Sequence, residues 1–280
     1  MKLLVTGGSG YLGTHVRRFF DADDFSRRTS RDILNDYDVR MVANYDAVIH
    51  LAGYLDKDPK AAELSFRTNA EGAANVVKHM NPGAAFIYAS TRDVYGANAD
   101  SYAEVPETCS TDYSGQTALE WSKLIGERYV EYYARQRNVR TCIFRMSTVY
   151  ARPSPGNDSG FVTHYVESVK RGWPIRLPLG GQLVRDILHV DDFAKACRAF
   201  LDSSHVYGLY NVGGGKENAT TLLDIVSKVG NMIELQPNIV DSDALPHPVP
   251  VNYVSDLSRI REQLGWRPEI GIEEGLRSLL

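Results

Sequence analysis

The chain reads as an α/β protein built on a doubly wound parallel sheet, with a smaller domain drawn from its C-terminal half. Three observations predict this. Apolar runs with strand character alternate with segments of helical periodicity through the first half of the chain. A glycine-spaced turn joins the first run directly to a helix. After Tyr150 the texture changes, and prolines and glycines break the chain into shorter elements.

The first strand is Lys2-Leu3-Leu4-Val5-Thr6, followed by Gly7, Gly10 and Gly13. A helix begins at once, carrying Leu12, Val16 and Phe19/Phe20 on one face. In this strand–turn–helix setting each glycine has a task. Gly7 permits the tight turn, Gly10 lets the backbone approach a pyrophosphate, and Gly13 allows close packing of helix on strand. The helix N-terminus adds unpaired N–H groups and a positive dipole end. These features predict a Rossmann-type dinucleotide site, with Tyr11 and Leu12 inside the motif. A second strand is expected over Asp24–Arg31. Ala47-Val48-Ile49-His50-Leu51, Ala84-Ala85-Phe86-Ile87-Tyr88 and Thr141-Cys142-Ile143-Phe144 read as buried parallel strands. Phe66, Ala70, Ala73, Val77 and Met80 recur at helical spacing, and a further helix runs from Ala118 to Tyr133. Pro153, Pro155, Gly156, Asn157 and Asp158 form a loop. The expected domains are residues 1–152 for the dinucleotide, with a return segment near 183–216, and residues 153–280 for the substrate.

A chain of 280 residues can bury a full core. Its net charge of −4, without a basic run, gives no support for a nucleic-acid or membrane-surface partner. Cys109, Cys142 and Cys197 are widely spaced and match no metal-ligand pattern, so buried free thiols in a reducing compartment are expected. The N-terminal apolar run stops at Val5, too short for a signal peptide, and no stretch reaches membrane-spanning length. A cytoplasmic protein without a metal site is the expectation.

Further segments occur in a telling order: His50-Leu51-Ala52-Gly53, Asn69-Ala70-Glu71-Gly72, Tyr88-Ala89-Ser90-Thr91-Arg92-Asp93-Val94-Tyr95-Gly96 and Ser122-Lys123-Leu124-Ile125-Gly126-Glu127-Arg128. Arg185-Asp186-Ile187-Leu188-His189-Val190-Asp191-Asp192, Tyr210-Asn211-Val212-Gly213-Gly214-Gly215 and Leu264-Gly265-Trp266-Arg267-Pro268 follow. With the glycine turn, this series resembles the extended short-chain dehydrogenase/reductase superfamily, in its branch of NAD(P)-dependent nucleotide-sugar epimerases and dehydratases. Within that branch, the segment from Asn211 through Glu217-Asn218 to Leu222-Leu223 is most similar to 2-epimerases of CDP-linked dideoxy sugars, the CDP-tyvelose type.

The resemblance implies a nicotinamide dinucleotide across the strand ends, touched by Leu51, Ala52, Gly53 and Asn69, with Asp32-Ile33 against the adenine. It implies Thr91 as the catalytic hydroxyl, Lys123 as the catalytic lysine on the nicotinamide ribose, and Arg185 on the substrate diphosphate. Thr148 stands at the strand end beside the substrate. A homodimer through two long central helices is implied as well. The bland readings are an exposed helical lysine for Lys123 and an ion pair with Asp186 or Asp192 for Arg185; His189 reads as structural. An acidic residue closing the second strand favours NAD through the ribose hydroxyls, and an arginine there accommodates the phosphate of NADP. That strand ends in Arg27, Arg28 and Arg31 with Ser and Thr between them, so NADP is preferred over NAD, with Arg28 as a contact.

One family position departs from the pattern. The resemblance places a tyrosine four residues before the lysine, where the ammonium lowers the phenol's pKa. Here that residue is Leu119, which carries no proton. Tyr113, Tyr95 and Asp93 are candidate substitutes, and Asp93 reads equally as the partner of Arg92. His247-Pro248-Val249-Pro250 stands where the family has Arg-Pro-Gly-Asp, and Thr148 and Ala151 replace an Asn and a Gly. Three readings stay open: epimerase-like redox chemistry on a sugar nucleotide with a substitute proton carrier; a dinucleotide-binding but catalytically degenerate sensor or partner subunit; and a reductase or lyase on a non-nucleotide sugar or small carbonyl.

Overall fold

The structure, a computed structural model, describes residues 1–154, 156–157, 160–240 and 250–280. In the first half, β1 (Leu3–Thr6) runs into α1 (Tyr11–Phe20). There follow β2 (Asp23–Phe25), α2 (Asp36–Val39), β3 (Ala47–His50), α3 (Ala62–Ser65), α4 (Gly72–Lys78), β4 (Ala85–Thr91), α5 (Ala118–Arg137) and β5 (Arg140–Met146). The second half holds β6 (Thr148–Tyr150), α6 (Phe161–Lys170), β7 (Ile175–Arg176), β8 (Val184–His189), α7 (Val190–Asp202) and β9 (Tyr207–Val212). After these come β10 (Ala219–Thr221), α8 (Leu222–Met232), β11 (Ile239–Val240), α9 (Ser258–Leu264) and α10 (Ile272–Ser278).

The main sheet has the order β2-β1-β3-β4-β5-β9 and is parallel throughout. Alternate residues of each strand face opposite layers. Leu3, Val5, Ile49, Ile87 and Phe144 pack with Val16 of α1 and Phe193 of α7. Leu4, Val48, Phe86, Tyr88 and Ile143 pack with Val76 and Val77 of α4 and Val130 of α5. Burial on both faces is why these strands read as unbroken apolar runs. The chain leaves β1 first towards β2 and later returns on its other side to β3, so the strand order reverses there. That reversal opens a crevice at the carboxyl ends of β1 and β3.

The smaller half is built on a second sheet, β10-β8-β6, in which β8 is parallel to β6 and antiparallel to β10. Val162, Val166, Ile225, Val226, Val229 and Leu276 form its core. β9 then carries the chain back to the edge of the main sheet, pairing with β5.

Several expected elements differ in detail. The second strand ends at Phe25, because Ser26 and Thr29 cap each other reciprocally and fold Arg27–Thr29 into a tight helical turn. The helix expected to stop at Tyr133 runs on to Arg137, ending where Asn138 turns left-handed. Between α3 and α4 the helix loosens into a π-helical stretch, Phe66–Glu71, which an apolar spacing compatible with either form does not announce. Phe19 is half exposed, since Val16 and Phe20 already fill that side of α1. The three cysteines are free and buried. No helix among the described residues is long and apolar enough to cross a membrane.

Candidate active site

A cavity of about 600 Å³ occupies the crevice over β1, β3 and β4. Gly7, Gly10, Tyr11, Leu12 and Gly13 form one wall, and Leu51, Ala52 and Gly53 form the next. Gly7 has φ +71°, and its N–H donates to Phe25 O at 2.8 Å. A Cβ there would lie 2.8 Å from Ala52 N, and one at Gly13 would lie 2.1 Å from Gly7 O. The turn is therefore closed to side chains, which leaves backbone as the cavity wall. Gly10 caps α1 without a side-chain bond, so the first-turn N–H groups are available to an anion. The Tyr11 hydroxyl donates to Ala151 O and accepts from Ala151 N, both at 2.8 Å, and lies 2.8 Å from Thr163 Oγ1. It is a strut between α1 and the smaller half of the molecule.

At the outer end the cavity is lined by Ser26, Arg27, Arg28, Arg31, Asp32 and Ile33. Arg28 is held by Ser9 O at 3.0 Å and Gly156 O at 2.5 Å. Asp24, the acidic residue on β2, accepts from the hydroxyls of Ser9 and Ser26 and pairs with Arg17 at 3.3 Å. These contacts all fall on its Oδ2, and its buried Oδ1 has no hydrogen-bond partner among the described residues. Asp32 accepts from Leu34 N at 2.9 Å, and Ile33 is buried where a Cβ on Gly72 would meet it at 2.5 Å. A glycine cradle, a free helix terminus and a cavity of this size fit a dinucleotide.

The inner end gathers Ala89, Ser90, Thr91, Leu119, Lys123, Met146 and Ser147. Lys123 is buried rather than an exposed helical lysine, and its Nζ donates to Ala89 O at 2.9 Å. Burial lowers its pKa to about 8, with Glu127 opposing. Leu119, one turn earlier on α5, is buried on the same cavity. Asn69 sits in the π-helical stretch and ties down the loop after β3. Its Nδ2 donates to Tyr54 O and Ser122 Oγ at 2.9 Å, while its Oδ1 accepts from Tyr54 N at 2.8 Å. A Cβ on Gly53 would lie 3.1 Å from Lys123 Nζ and 3.2 Å from Asn69 Oδ1, so these polar groups converge beside Gly53. Thr91 Oγ1 accepts from Asp93 N at 3.2 Å and keeps its own hydrogen to donate.

Other expected site residues lie elsewhere. Asp93 does not line the cavity: it pairs with Arg92 and Lys57, each at 3.3 Å, and Lys57 also reaches Glu120 at 2.7 Å. Burial raises its pKa, but Arg92, Lys57 and Arg185 outweigh that and hold the carboxyl below its ordinary range. The geometry gives Asp93 to the ion pair. Tyr95 is locked in the core, donating to Asn211 Oδ1 at 2.6 Å, and Tyr113 is 71% exposed and away from the cavity. Thr148 begins β6, opposite Ile187, and is not on the cavity wall. Arg185 pairs with neither Asp186 nor Asp192; its guanidinium donates to the carbonyls of Val184 at 2.7 Å, Val251 at 2.6 Å and Pro250 at 2.9 Å. His189 caps α7, accepting from Asp191 N at 3.2 Å. Pro155, Asp158 and His247, Pro248 and Val249 lie outside the described residues. Sequence reasoning missed Tyr54, Leu55, Thr68 and Asn157 as cavity residues; they sit in loops or in the π stretch, where no periodicity marks them.

Fold and cradle together define a dinucleotide-binding α/β protein. A family model described as the NAD dependent epimerase/dehydratase family matches residues 3–213, and the chain belongs to this family. The CDP-paratose 2-epimerase of Salmonella typhi is 26% identical, covering 100% of this chain and 98% of that protein. The dTDP-glucose 4,6-dehydratase of Mycobacterium tuberculosis is 27% identical, covering 100% of this chain and 92% of its own. Among solved structures, a UDP-glucose 4-epimerase with UDP-glucose from Thermotoga maritima superposes with a TM-score of 0.86 at 22% identity, covering 100% and 97% of the two chains. The structure of RMD from Pseudomonas aeruginosa complexed with NADPH gives 0.83 at 20% identity, covering 100% and 98%. These likenesses show the shared fold, and the cofactor the cradle fits is a nicotinamide dinucleotide.

Proposed function

We propose that this protein is an enzyme that performs epimerase-like redox chemistry on a sugar nucleotide with NADP as its preferred cofactor. One observation carries the reading: the glycine cradle, Thr91 and Lys123 line a single cavity. A bound nicotinamide supplies a hydride acceptor and donor there. Gly7 to Gly13 would hold the pyrophosphate and Ile33 the adenine. Arg28, with Arg27 and Arg31 beside it, would take the ribose phosphate that distinguishes NADP, since these arginines line the cavity and Asp24 does not. Asn69 fixes the loop at Tyr54, and Thr91 donates to a substrate oxygen. Of Arg185's five N–H groups, three are on carbonyls; the others remain for the substrate diphosphate.

The CDP-paratose 2-epimerase, the dTDP-glucose 4,6-dehydratase and the UDP-glucose 4-epimerase named above act on nucleotide-linked sugars by their names, which supports a sugar-nucleotide substrate. A second reading, dinucleotide binding without redox turnover, is favoured by the apolar Leu119 on the cavity wall. We also propose a homodimer, supported by Tyr129 and Tyr132, both substantially exposed on α5; light scattering on the eluting protein tests it. The deciding experiment titrates NADP and NAD by fluorescence, then offers UDP-, dTDP-, CDP- and GDP-linked hexoses. Tighter NADP binding and a chromatographically altered sugar support the proposal. Binding without any conversion selects the second reading, and tighter NAD binding overturns the NADP preference.

A further inference from the structure

The proton that leaves a sugar hydroxyl on oxidation needs an acceptor at the inner end of the cavity. One turn before Lys123 stands Leu119, which carries no proton, and the other candidates are committed: Asp93 to Arg92 and Lys57, Tyr95 to Asn211. Tyr54 lines the cavity, but its hydroxyl donates to Asp56 at 3.4 Å and its backbone is pinned to Asn69. Tyr11 has its hydroxyl filled by Ala151 and Thr163. Lys123 remains. We infer that Lys123 Nζ is itself the proton carrier of this site, taking the hydrogen of the substrate hydroxyl and returning it to the carbonyl oxygen. The inference rests on the redox reading above.

The surroundings of Nζ suit the task. Lys123 forms no ion pair among the described residues, and one N–H is taken by Ala89 O. A neutral amine there keeps a second N–H and a lone pair. The groups that face it are few. From β3 comes His50, which burial and the Lys123 charge lower to about 3, so it is neutral. From β4 comes Tyr88, with its ring centroid 5.2 Å from Nζ and its phenol raised by burial and by Glu127. On α5 itself is Glu127, whose carboxylate is engaged by Arg145 through bonds of 3.0 and 2.7 Å and by Ser90. The Leu119 wall adds no charge. With no carboxylate in contact with it, burial lowers the amine's pKa to about 8. In the oxidative direction the substrate O–H bond breaks and an Nζ–H bond forms, so the amine becomes an ammonium. A bound oxidised nicotinamide would supply the acceptor for the hydride from the carbinol carbon, leaving a carbonyl. Reduction reverses each change.

Two measurements test this. Competitive labelling of the intact protein with acetic anhydride across pH, read by peptide mass spectrometry, should give Lys123 a midpoint near 8, below that of exposed Lys216, with labelling suppressed by saturating NADP. A midpoint shared with Lys216 overturns the inference. The second compares Lys123→Arg and Lys123→Met on whichever nucleotide hexose the wild type converts. Both should lose at least about 100-fold in rate, although Arg keeps the charge, and both should keep circular dichroism close to wild type. Lys123→Arg retaining rate within about threefold, against that expected loss, overturns it too. Absence of dinucleotide binding, or of conversion by the wild type, sinks the redox reading and this inference with it; a normal midpoint or a working Lys123→Arg enzyme sinks only the inference.

Discussion

Leu119 and Lys123 stand one turn apart on α5 and line the same cavity, an apolar side chain set beside a buried amine. No phenol stands one turn before the lysine on this face, and the pair is open to direct manipulation.

Leu119→Tyr places a hydroxyl on the face of α5 that Lys123 occupies. The phenol should take over the proton, raising the rate of sugar oxidation by about tenfold or more. In that background the Lys123→Arg penalty should shrink to under about tenfold, because the guanidinium still serves the phenol electrostatically. The added ring in a buried site should cost about 1–3 kcal/mol, visible as a lower melting temperature. An unchanged rate with every nucleotide hexose would show that the tyrosine is not the missing part.

Gly13→Ala tests the cradle. The new methyl would lie 2.1 Å from Gly7 O and 2.8 Å from Gly8 Cα, both backbone atoms that cannot swing away. NADP affinity should fall by about 100-fold, and stability by about 3 kcal/mol. Gly271→Ala is the control, since a Cβ there meets nothing and its φ is an ordinary −73°; denaturant unfolding should change by less than about 1 kcal/mol. Equal behaviour of the two variants would refute the packing argument.

Arg28→Ala should weaken NADP by about 10- to 100-fold, the worth of a charged hydrogen bond to phosphate. NAD, lacking that phosphate, should change by less than about threefold on the same argument. Parallel losses for both cofactors would assign Arg28 to holding Ser9 and Gly156 alone.

His50 links stability to acid. Its ring is fully buried, accepts or donates one bond with Thr6 Oγ1 at 2.9 Å, and is held neutral with a pKa lowered from 6.5 to about 3. The unfolded chain therefore takes up the proton first. Stability is whole above 6.5 and is lost as pH falls from there towards 3, by about 1.4 kcal/mol per unit. Urea unfolding at several pH values should show His50→Gln lacking this part of the slope. Identical slopes would place the acid sensitivity elsewhere.

Much of the fold is legible in the chain. Parallel strands buried on both faces leave continuous apolar runs, and glycines at 7, 10 and 13 mark where backbone must pass close to backbone. The cavity lining is legible where its residues sit at strand ends or on one helix face, as Thr91 and Lys123 do. It is not legible where partners are remote. Asp93 finds Lys57 across 36 positions, and Arg185 finds Pro250 across 65. The π stretch that holds Asn69 in place likewise leaves the apolar spacing unaltered.

By itself the sequence determined that a glycine cradle opens the chain, and that Leu119 precedes Lys123 by one helical turn. Both are matters of local spacing, and local spacing survives in one dimension. Only the tertiary structure decided which polar groups reach the cavity and how basic they are. Lys123 loses basicity because Tyr88 and Ala89 on β4 bury it, while Asp93 gains acidity because two cations close over it. Desolvation and Coulomb attraction depend on neighbours brought together through space, and it is the packing of α5 against β4 that supplies them.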